Sequence, residues 1–392
     1  MVKYDPFSDE VLSDPYPVYK KLRAEAPVYY IEEYDAWAFS RFEDIWQASM
    51  DAEHYSTEKG TTSAHLLTKV QPVTPMLNMM DPPQHTALRT AARKFLQPAN
   101  VRKIEPKIRE LVKGRFAEFM QKGEFDSFDL GSPVATTAAC LAIGIPLEDA
   151  EMLNSLVVRF FGRDPEIDGM TPDGLAAMGE LFGYFAELVQ GREKTGLEEP
   201  DIVNAIIAYA HEHELSYEDM GSHLSMFIIG GAETFPKVLA NCLYWLWRHP
   251  DQRAQVVKDT SLVPDAFWEI LRYDMPTQFL GRVVKKDLEL HGQKLREGQP
   301  VLLLYPSANR DEREFENPDV LDIQRRAPRI LSFGHGIHAC IGMNTAKMEA
   351  RVCLEAVAEK IPDYEVDIEN AERLRTEFVQ GFAKLPIRFS PA

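Results

Sequence analysis

Residues 331–343, LSFGHGIHACIGM, place three glycines, two histidines and one cysteine within thirteen positions. Three chemistries suit such a loop. Gly334-x-Gly336-x-x-Ala339 satisfies a degenerate dinucleotide fingerprint, in which a helix N-terminus takes a pyrophosphate. Only 50 residues follow Gly342, however, and Glu355 and Glu359 fall inside a helical pattern rather than at a strand end. His335, His338 and Cys340 are zinc-ligand types. A structural zinc takes four protein ligands, and the second half-site is missing. The third chemistry is a single cysteinate on a large planar cofactor. Cys340 lies just before a helical pattern starting near Ile341. There the positive helix end and nearby N–H groups stabilise a thiolate and tune a bound iron. Gly334, Gly336 and Gly342 let the backbone turn sharply and approach a flat ring, and Phe333 can shield the sulfur. On the loop alone, a buried free cysteine in a glycine-rich turn is the simpler reading.

Two further pairs share one helical face each. Glu269 and Arg272 stand three apart in WEILRYDMPTQFLGR, and His85 and Arg89 stand four apart in DPPQHTALR. By themselves they read as a surface ion pair and as surface residues. The segment 216–250 reads as one long helix starting at a Ser216/Asp219 capping box. Its middle breaks helix rules. Gly230 and Gly231 are poor formers, and Pro236 has no N–H for the Ala232 carbonyl. A kink or widening is therefore expected at 230–236. His54, His65, His291 and the HEHEL run at 211–215 are expected on solvated faces. Leu224, Phe227 and Ile228 are expected in the core, whereas Met76, Met79 and Met80 fit core or pocket equally.

The elements that position these residues are mostly helical. Helices are expected at 14–26, 83–97, 101–122, 146–161, 173–192, 200–212, 216–249, 264–273 and 342–360. Strands are expected at 28–40, 280–304 and 377–389, with a hairpin corner at LHG and a break at Gly298 and Pro300. The 392 residues, 45% hydrophobic, suffice for a large core, and no linker or repeat divides them. A net charge of −18 argues against nucleic acid. The stretch 88–107 is the local exception, with Arg89, Arg93, Lys94, Arg102, Lys103 and Lys107; it reads as a solvated face or as a docking patch for an acidic protein. The polar N-terminus has no signal-peptide core, and no apolar run approaches a membrane span. Four scattered cysteines make no disulfide framework. A soluble, monomeric, cytoplasmic protein is expected.

Phe333-Gly334-x-Gly336-x-x-x-Cys340-x-Gly342 resembles the haem-binding loop of the haem-thiolate monooxygenases, the cytochrome P-450 superfamily, and four more segments follow the family's order from about residue 5 to the C-terminus. The resemblance implies a single mainly α domain with small β-sheets (α+β) over 1–392. It would be a triangular helical body with the long central helix over haem, its β-rich parts near 27–80, 277–310 and 365–392. It implies Cys340 as the ligand of haem b, flanked by Phe333 and Gly342, with His85, Arg89, Arg282 and His338 as propionate partners. Glu269, Arg272 and Arg325 match a buried structural triad. Glu233 and Thr234 match the acid–alcohol pair that carries protons for heterolytic O–O cleavage. Phe235 and Pro236 depart from the small or polar residues usual after that pair. By analogy the pocket is lined by the loop 60–80, the helices at 152–190, PTQF at 276–279 and FVQGF at 378–382. The named pocket candidates are Gly230, Phe235, Pro276, Phe279, Phe378 and Phe382. The implied reaction inserts one oxygen atom from O2 into a small apolar organic substrate, with electrons from a separate ferredoxin and ferredoxin reductase. A peroxide-driven haem-thiolate enzyme and a non-catalytic haem sensor are the alternatives.

Overall fold

The computed structural model describes residues 2–70, 76–162, 164, 167, 170–196 and 200–390. Helices Asp9–Ser13 (α1) and Tyr16–Glu25 (α2) precede strands Val28–Ile31 (β1) and Ala36–Phe39 (β2). Phe42–Met50 (α3), Tyr55–Ser56 (β3) and Ser63–Leu66 (α4) follow. Gln84–Arg93 (α5), Pro98–Lys122 (α6), Glu124–Asp126 (β4), Ser127–Ile143 (α7), Ala150–Phe160 (α8), Pro172–Thr195 (α9) and Ile202–His213 (α10) lead to Tyr217–Ala232 (α11) and Thr234–Arg248 (α12). Pro250–Lys258 (α13) and Val263–Tyr273 (α14) come next. Strands Leu280–Val284 (β5), Leu288–Leu290 (β6), Gln293–Leu295 (β7) and Pro300–Leu303 (β8) precede Tyr305–Ala308 (α15) and Met343–Lys360 (α16). Glu365–Val366 (β9), Glu372–Leu374 (β10), Gly381–Lys384 (β11) and Pro386–Arg388 (β12) close the chain.

The architecture is mainly α with small sheets. One sheet runs β1-β2-β8-β5-β3, antiparallel except where β2 meets β8 in parallel register, Trp37 beside Val301. The LHG corner is a β6–β7 turn with His291 and Gly292 in the left-handed region, which suits the glycine. β4, β12 and β9 form a second sheet, and β10–β11 a hairpin. The main core packs α6, α7, α12, α14 and α16 around residues such as Phe116, Leu130, Leu243, Ile270 and Val352. A second cluster joins α7, α8, α9, α10 and α11. Among the described residues no helix is long and apolar enough to cross a membrane.

The expected long helix at 216–249 is two. α11 ends at Ala232, α12 begins at Thr234, and Glu233 sits at the junction. Gly230, Gly231 and the missing Pro236 N–H account for the break. Six helices fall outside the expected ranges: α1, α3, α4, α7, α13 and α15. α3 lies inside a segment read as β-rich, α13 follows a helix that had been extended over its start, and α7 carries Gly131, Pro133 and two threonines. α7 is a helix because its small residues permit close packing. A Cβ at Gly131 would lie 2.9 Å from the Pro236 Cα, and one at Gly231 would lie 3.0 Å from the Ala139 Cβ. His65 is half-buried against Thr62 rather than solvated. Met76 and Met79 are buried. Residues 71–75 of the expected pocket loop, and 163, 165, 166, 168 and 169 beyond α8, lie outside the described residues.

Candidate active site

The cysteine loop is shaped by what surrounds it. The Cys340 N–H donates to the Phe333 carbonyl at 2.7 Å and closes the loop. Phe333 stacks on Trp268, with ring centroids 6.0 Å apart. Gly336 has φ +70°, and a Cβ there would overlap the Ser49 carbonyl of α3, so no side chain fits. His335 stacks on Trp46 at 3.4 Å. Among the described residues no group of three or more His, Cys, Asp or Glu could hold a metal, which leaves the zinc reading without support. Cys140, Cys242 and Cys353 are buried in cores, and burial pushes the Cys140 thiol up to about 12. Cys340 differs. Its residue keeps accessible surface, yet burial is the largest influence on its thiol, pushing the pKa up. An exposed residue whose thiol is nonetheless desolvated fits a place in a recess of the fold rather than on its outer face. The Gly342 N–H and the Arg89 guanidinium pull the thiol the other way, toward thiolate.

Beside the sulfur lies a cluster of cations and neutral imidazoles. Arg89 donates to the Ala339 carbonyl. Arg282 is 5% exposed and donates to the Gly281 carbonyl at 2.8 Å. Among the described residues neither arginine has a carboxylate in ion-pair range. His85 and His338 stand 4.2 Å apart between ring centroids. Both ring nitrogens of His85 are buried without a partner, while His338 Nε2 meets Thr57 Oγ1 at 3.3 Å. Burial, then the neighbouring Arg89, pushes His85 down to about 4. Burial and the neighbouring Arg282, His85 and Arg89 push His338 to about 2. Enclosed guanidiniums without a counter-charge are costly. The cluster therefore suits an anion.

The break between α11 and α12 supplies the facing wall. Gly230 is exposed although most of α11 around it is buried, and Met226, one turn earlier, is half-exposed. Thr234 Oγ1 lies 3.5 Å from the Gly230 carbonyl, a long contact that leaves the hydroxyl largely uncommitted. Glu233 is 7% exposed and Lys237 4%, and the Lys237 ammonium donates to the Glu233 carboxylate one turn away. Lys237 was not singled out in the sequence, although its i,i+4 spacing from Glu233 marks it.

Glu269, Arg272 and Arg325 are brought together in the interior. Arg272 Nε and Nη2 bind both oxygens of Glu269 at 2.8 and 2.7 Å, and Arg325 Nε reaches Oε1 at 3.0 Å. Of the pocket candidates, Gly230 and Phe378 keep accessible surface, while Phe235, Pro276, Phe279 and Phe382 are buried. Phe279 and Phe378 meet edge to face at 6.0 Å. Phe382 packs in the main core against Tyr244 and Arg373, so its ring has no free face for a ligand. On the outer surface a groove between α6, α14 and α16 is lined by Arg102, Glu105, Asp265, Lys347 and Arg351. Arg93, Lys94, Lys103 and Lys107 are exposed on α5, the turn after it and α6, whereas Arg89 is turned inward.

Residues 170–389 match the family model described as Cytochrome P450. Cytochrome P450 123 of Mycobacterium tuberculosis is 35% identical over 388 residues, covering 98% of this chain and 96% of its own. The chain belongs to the cytochrome P450 family. Vitamin D(3) 25-hydroxylase of Pseudonocardia autotrophica is 30% identical over 99% of this chain and 97% of its own. Among solved structures, CalO2 superposes with a TM-score of 0.88 at 27% identity, each chain fully covered. P450BioI, in complex with a hexadec-9Z-enoic acid ligated acyl carrier protein, gives 0.85 at 28% identity over 97% of this chain and 100% of its own. This P450 is therefore an oxidoreductase of the monooxygenase kind, and its cofactor is haem. The site's own chemistry fits that group. It has a recessed thiol and, beside it, unpaired cationic groups and unpartnered imidazole nitrogens suited to carboxylates.

Proposed function

We propose that this P450 inserts one oxygen atom from O2 into a small apolar organic substrate, by hydroxylation or epoxidation, using electrons from a separate ferredoxin and its reductase. The observation that carries this reading is the Cys340 thiol, recessed within the fold, in a chain whose broken central helix opens at Gly230 and Thr234. Haem b would supply the redox chemistry of oxygen splitting when bound. Cys340 Sγ would hold it, the Gly342 N–H and Arg89 favouring the thiolate against the burial that disfavours it. Phe333 and Trp268 shield that sulfur from outside water. Arg89, Arg282, His85 and His338 take the propionates, with the arginines matching carboxylates as forks. Thr234 Oγ1 would pass protons from ordered water into the interior space, and Glu233, ion-paired with Lys237, would orient the water that resupplies them. Phe378 and Gly230 line an apolar pocket with Pro276 and Phe279 behind them. Glu269, Arg272 and Arg325 hold the approach to the cysteine loop. The working form is a cytoplasmic monomer.

The test is turnover with NADPH, a ferredoxin reductase, a ferredoxin and an apolar compound library under isotopically labelled dioxygen. Each product should carry one labelled atom, and substrate should raise reductant use. Equal turnover on peroxide without reductant would favour the peroxide-driven alternative instead. Thr234→Ala should keep its haem but divert electrons to hydrogen peroxide, lowering product per reductant by roughly tenfold or more. Fully coupled turnover in that variant would place the proton route elsewhere.

The exposed cations on α5, the following turn and α6, together with Lys347 and Arg351 in the adjoining groove, form the docking face for an acidic ferredoxin. Electron transfer should slow as ionic strength rises, since salt screens steering between exposed charges. Removing the charges of Arg93 and Lys94 should lower the low-salt rate and flatten its salt dependence. An unchanged rate in that pair would move the docking face off α5.

A further inference from the structure

The wall that carries Gly230 and Thr234 also carries a polar group with no use in the reading above. His223 lies in α11, 2% exposed, and its Nδ1 is buried without a hydrogen-bond partner. Two other histidines, one in α10 and one immediately after α12, satisfy the same atom on the preceding turn. His213 Nδ1 meets the Tyr209 carbonyl at 2.9 Å, and His249 Nδ1 meets the Trp245 carbonyl at 3.0 Å. The equivalent partner for His223 is the Asp219 carbonyl, and that contact is not made. The ring is thus turned away from the local solution that this protein uses elsewhere.

Helix geometry says where it is turned. At about 100° per residue, His223 stands about 20° from Gly230 around the α11 axis, and roughly 10 Å toward the N-terminus along it. It stands about 200° from Gly221, which packs on the Phe182 backbone of α9. His223, Met226 and Gly230 therefore form one stripe of α11, and the last two keep accessible surface. The surroundings are apolar. Leu224 and Phe227 share a cluster with Leu77, from the short turn Leu77–Met79 that packs on α11. Burial pushes His223 down to about 4, so its ring is neutral at neutral pH, one nitrogen donating and the other accepting. A lone polar group in an apolar wall is how a pocket fixes the orientation of a ligand.

We infer that His223 is a substrate anchor, hydrogen-bonding an uncharged oxygen function, a hydroxyl or carbonyl, carried by an otherwise apolar substrate roughly 10 Å from the carbon presented for oxidation. A carboxylate is disfavoured there, because a neutral ring offers no compensating charge in an apolar enclosure. The inference rests on the haem-facing reading of the α11 stripe given above, and it narrows the substrate from any apolar molecule to one polar at one end.

The test uses the purified holoprotein and two matched probe pairs, decane with decanol and dodecane with dodecanol. Binding is read from the shift of the haem absorption band, without turnover. Wild-type protein should bind each alcohol about five- to tenfold more tightly than its alkane, the range expected for one neutral hydrogen bond in an enclosed site. His223→Leu should bind both members of a pair alike and keep the wild-type affinity for the alkane. His223→Gln, which keeps a donor and an acceptor, should restore part of the preference. The leucine variant should also melt higher by about 1–3 °C, since an unsatisfied buried nitrogen is removed. Equal wild-type response to alcohol and alkane, including no response to either, overturns the inference. So does a preference that survives in His223→Leu, or a lower melting temperature in that variant. A protein purified without any haem band would instead defeat the underlying reading of the site.

Discussion

Cys340→Ala is expected to abolish monooxygenase turnover and the thiolate-type absorption band of the reduced, carbon-monoxide-treated protein, while leaving the polypeptide folded. The two halves of that expectation rest on one observation. Cys340 lies in a recess of the fold and keeps accessible surface, so its sulfur contributes little to core packing. Losing it should change the stability of the haem-free chain by less than about 1 kcal/mol, within the ordinary range for a site away from the core. What would be lost is the thiolate donor proposed above, and with it the electron density it would lend to oxygen splitting. Cys353→Ala is the opposite control. Cys353 is 0% exposed in α16, so truncation should cost about 1–2 kcal/mol through a small cavity and leave the absorption band in place. A Cys340→Ala protein that retains the band would transfer the ligand role to another residue. The control matters because Cys340 and Cys353 lie on one continuous stretch running from the loop into α16, and a general collapse of that stretch would remove the band for an uninteresting reason.

The cysteine loop was legible in the sequence because its constraints are local. Gly336 takes a left-handed turn that glycine accepts most readily, and the Cys340 N–H closes the loop on the Phe333 carbonyl seven residues earlier. The break in the central helix was legible for a similar reason, since Pro236 and two glycines violate helix chemistry on their own. α7 was not legible. Its alanines favour a helix, but Gly131, Pro133 and two threonines oppose one and the amphipathic signal is small, so the helix is stabilised by close approach to α11 and α12, a tertiary fact. The pocket residues were legible only as a neighbourhood. An aromatic such as Phe382 can point to a ligand or to Tyr244, and no periodicity decides which. His223 and Lys237 were missed because a histidine or lysine inside an apolar helix reads as an accident. Spacing from Gly230 in one case, and from Glu233 in the other, was the available signal.

Glu269→Gln is expected to prevent normal haem loading and to destabilise the fold by about 3–5 kcal/mol, the cost of breaking a buried ion pair by removing one partner. Arg272 is 0% exposed and Glu269 2%, so neither charge can recover its lost partner from solvent. The damage should spread along a continuous hydrogen-bonded path to the cysteine loop. Arg272 Nη1 donates to the Asn309 carbonyl at 2.8 Å. The Asn309 side chain accepts from the Leu331 N–H at 2.7 Å and donates to Ser332 Oγ at 2.8 Å. Ser332 in turn donates to the Leu271 carbonyl on α14 at 2.7 Å. Ser332 immediately precedes Phe333, whose carbonyl accepts from the Cys340 N–H, so the ion triad would set the position of the proposed ligand without touching it. Arg325 cannot substitute, because it depends on the same Glu269 oxygen and otherwise holds only the backbone carbonyls of Glu316, Asn317 and Val320. The ratio of haem absorbance to protein absorbance in freshly purified variant reads the first effect, and a denaturant midpoint reads the second. A combined Glu269→Leu and Arg272→Met variant separates charge from position. Replacing a buried pair by apolar residues of similar size often restores stability. That protein should therefore regain much of the denaturant midpoint. It should remain poor in haem, because methionine cannot donate to the Asn309 carbonyl that starts the path. Recovery of full haem content in the double variant would show that the triad stabilises the fold alone and that the cysteine loop finds its position by other contacts.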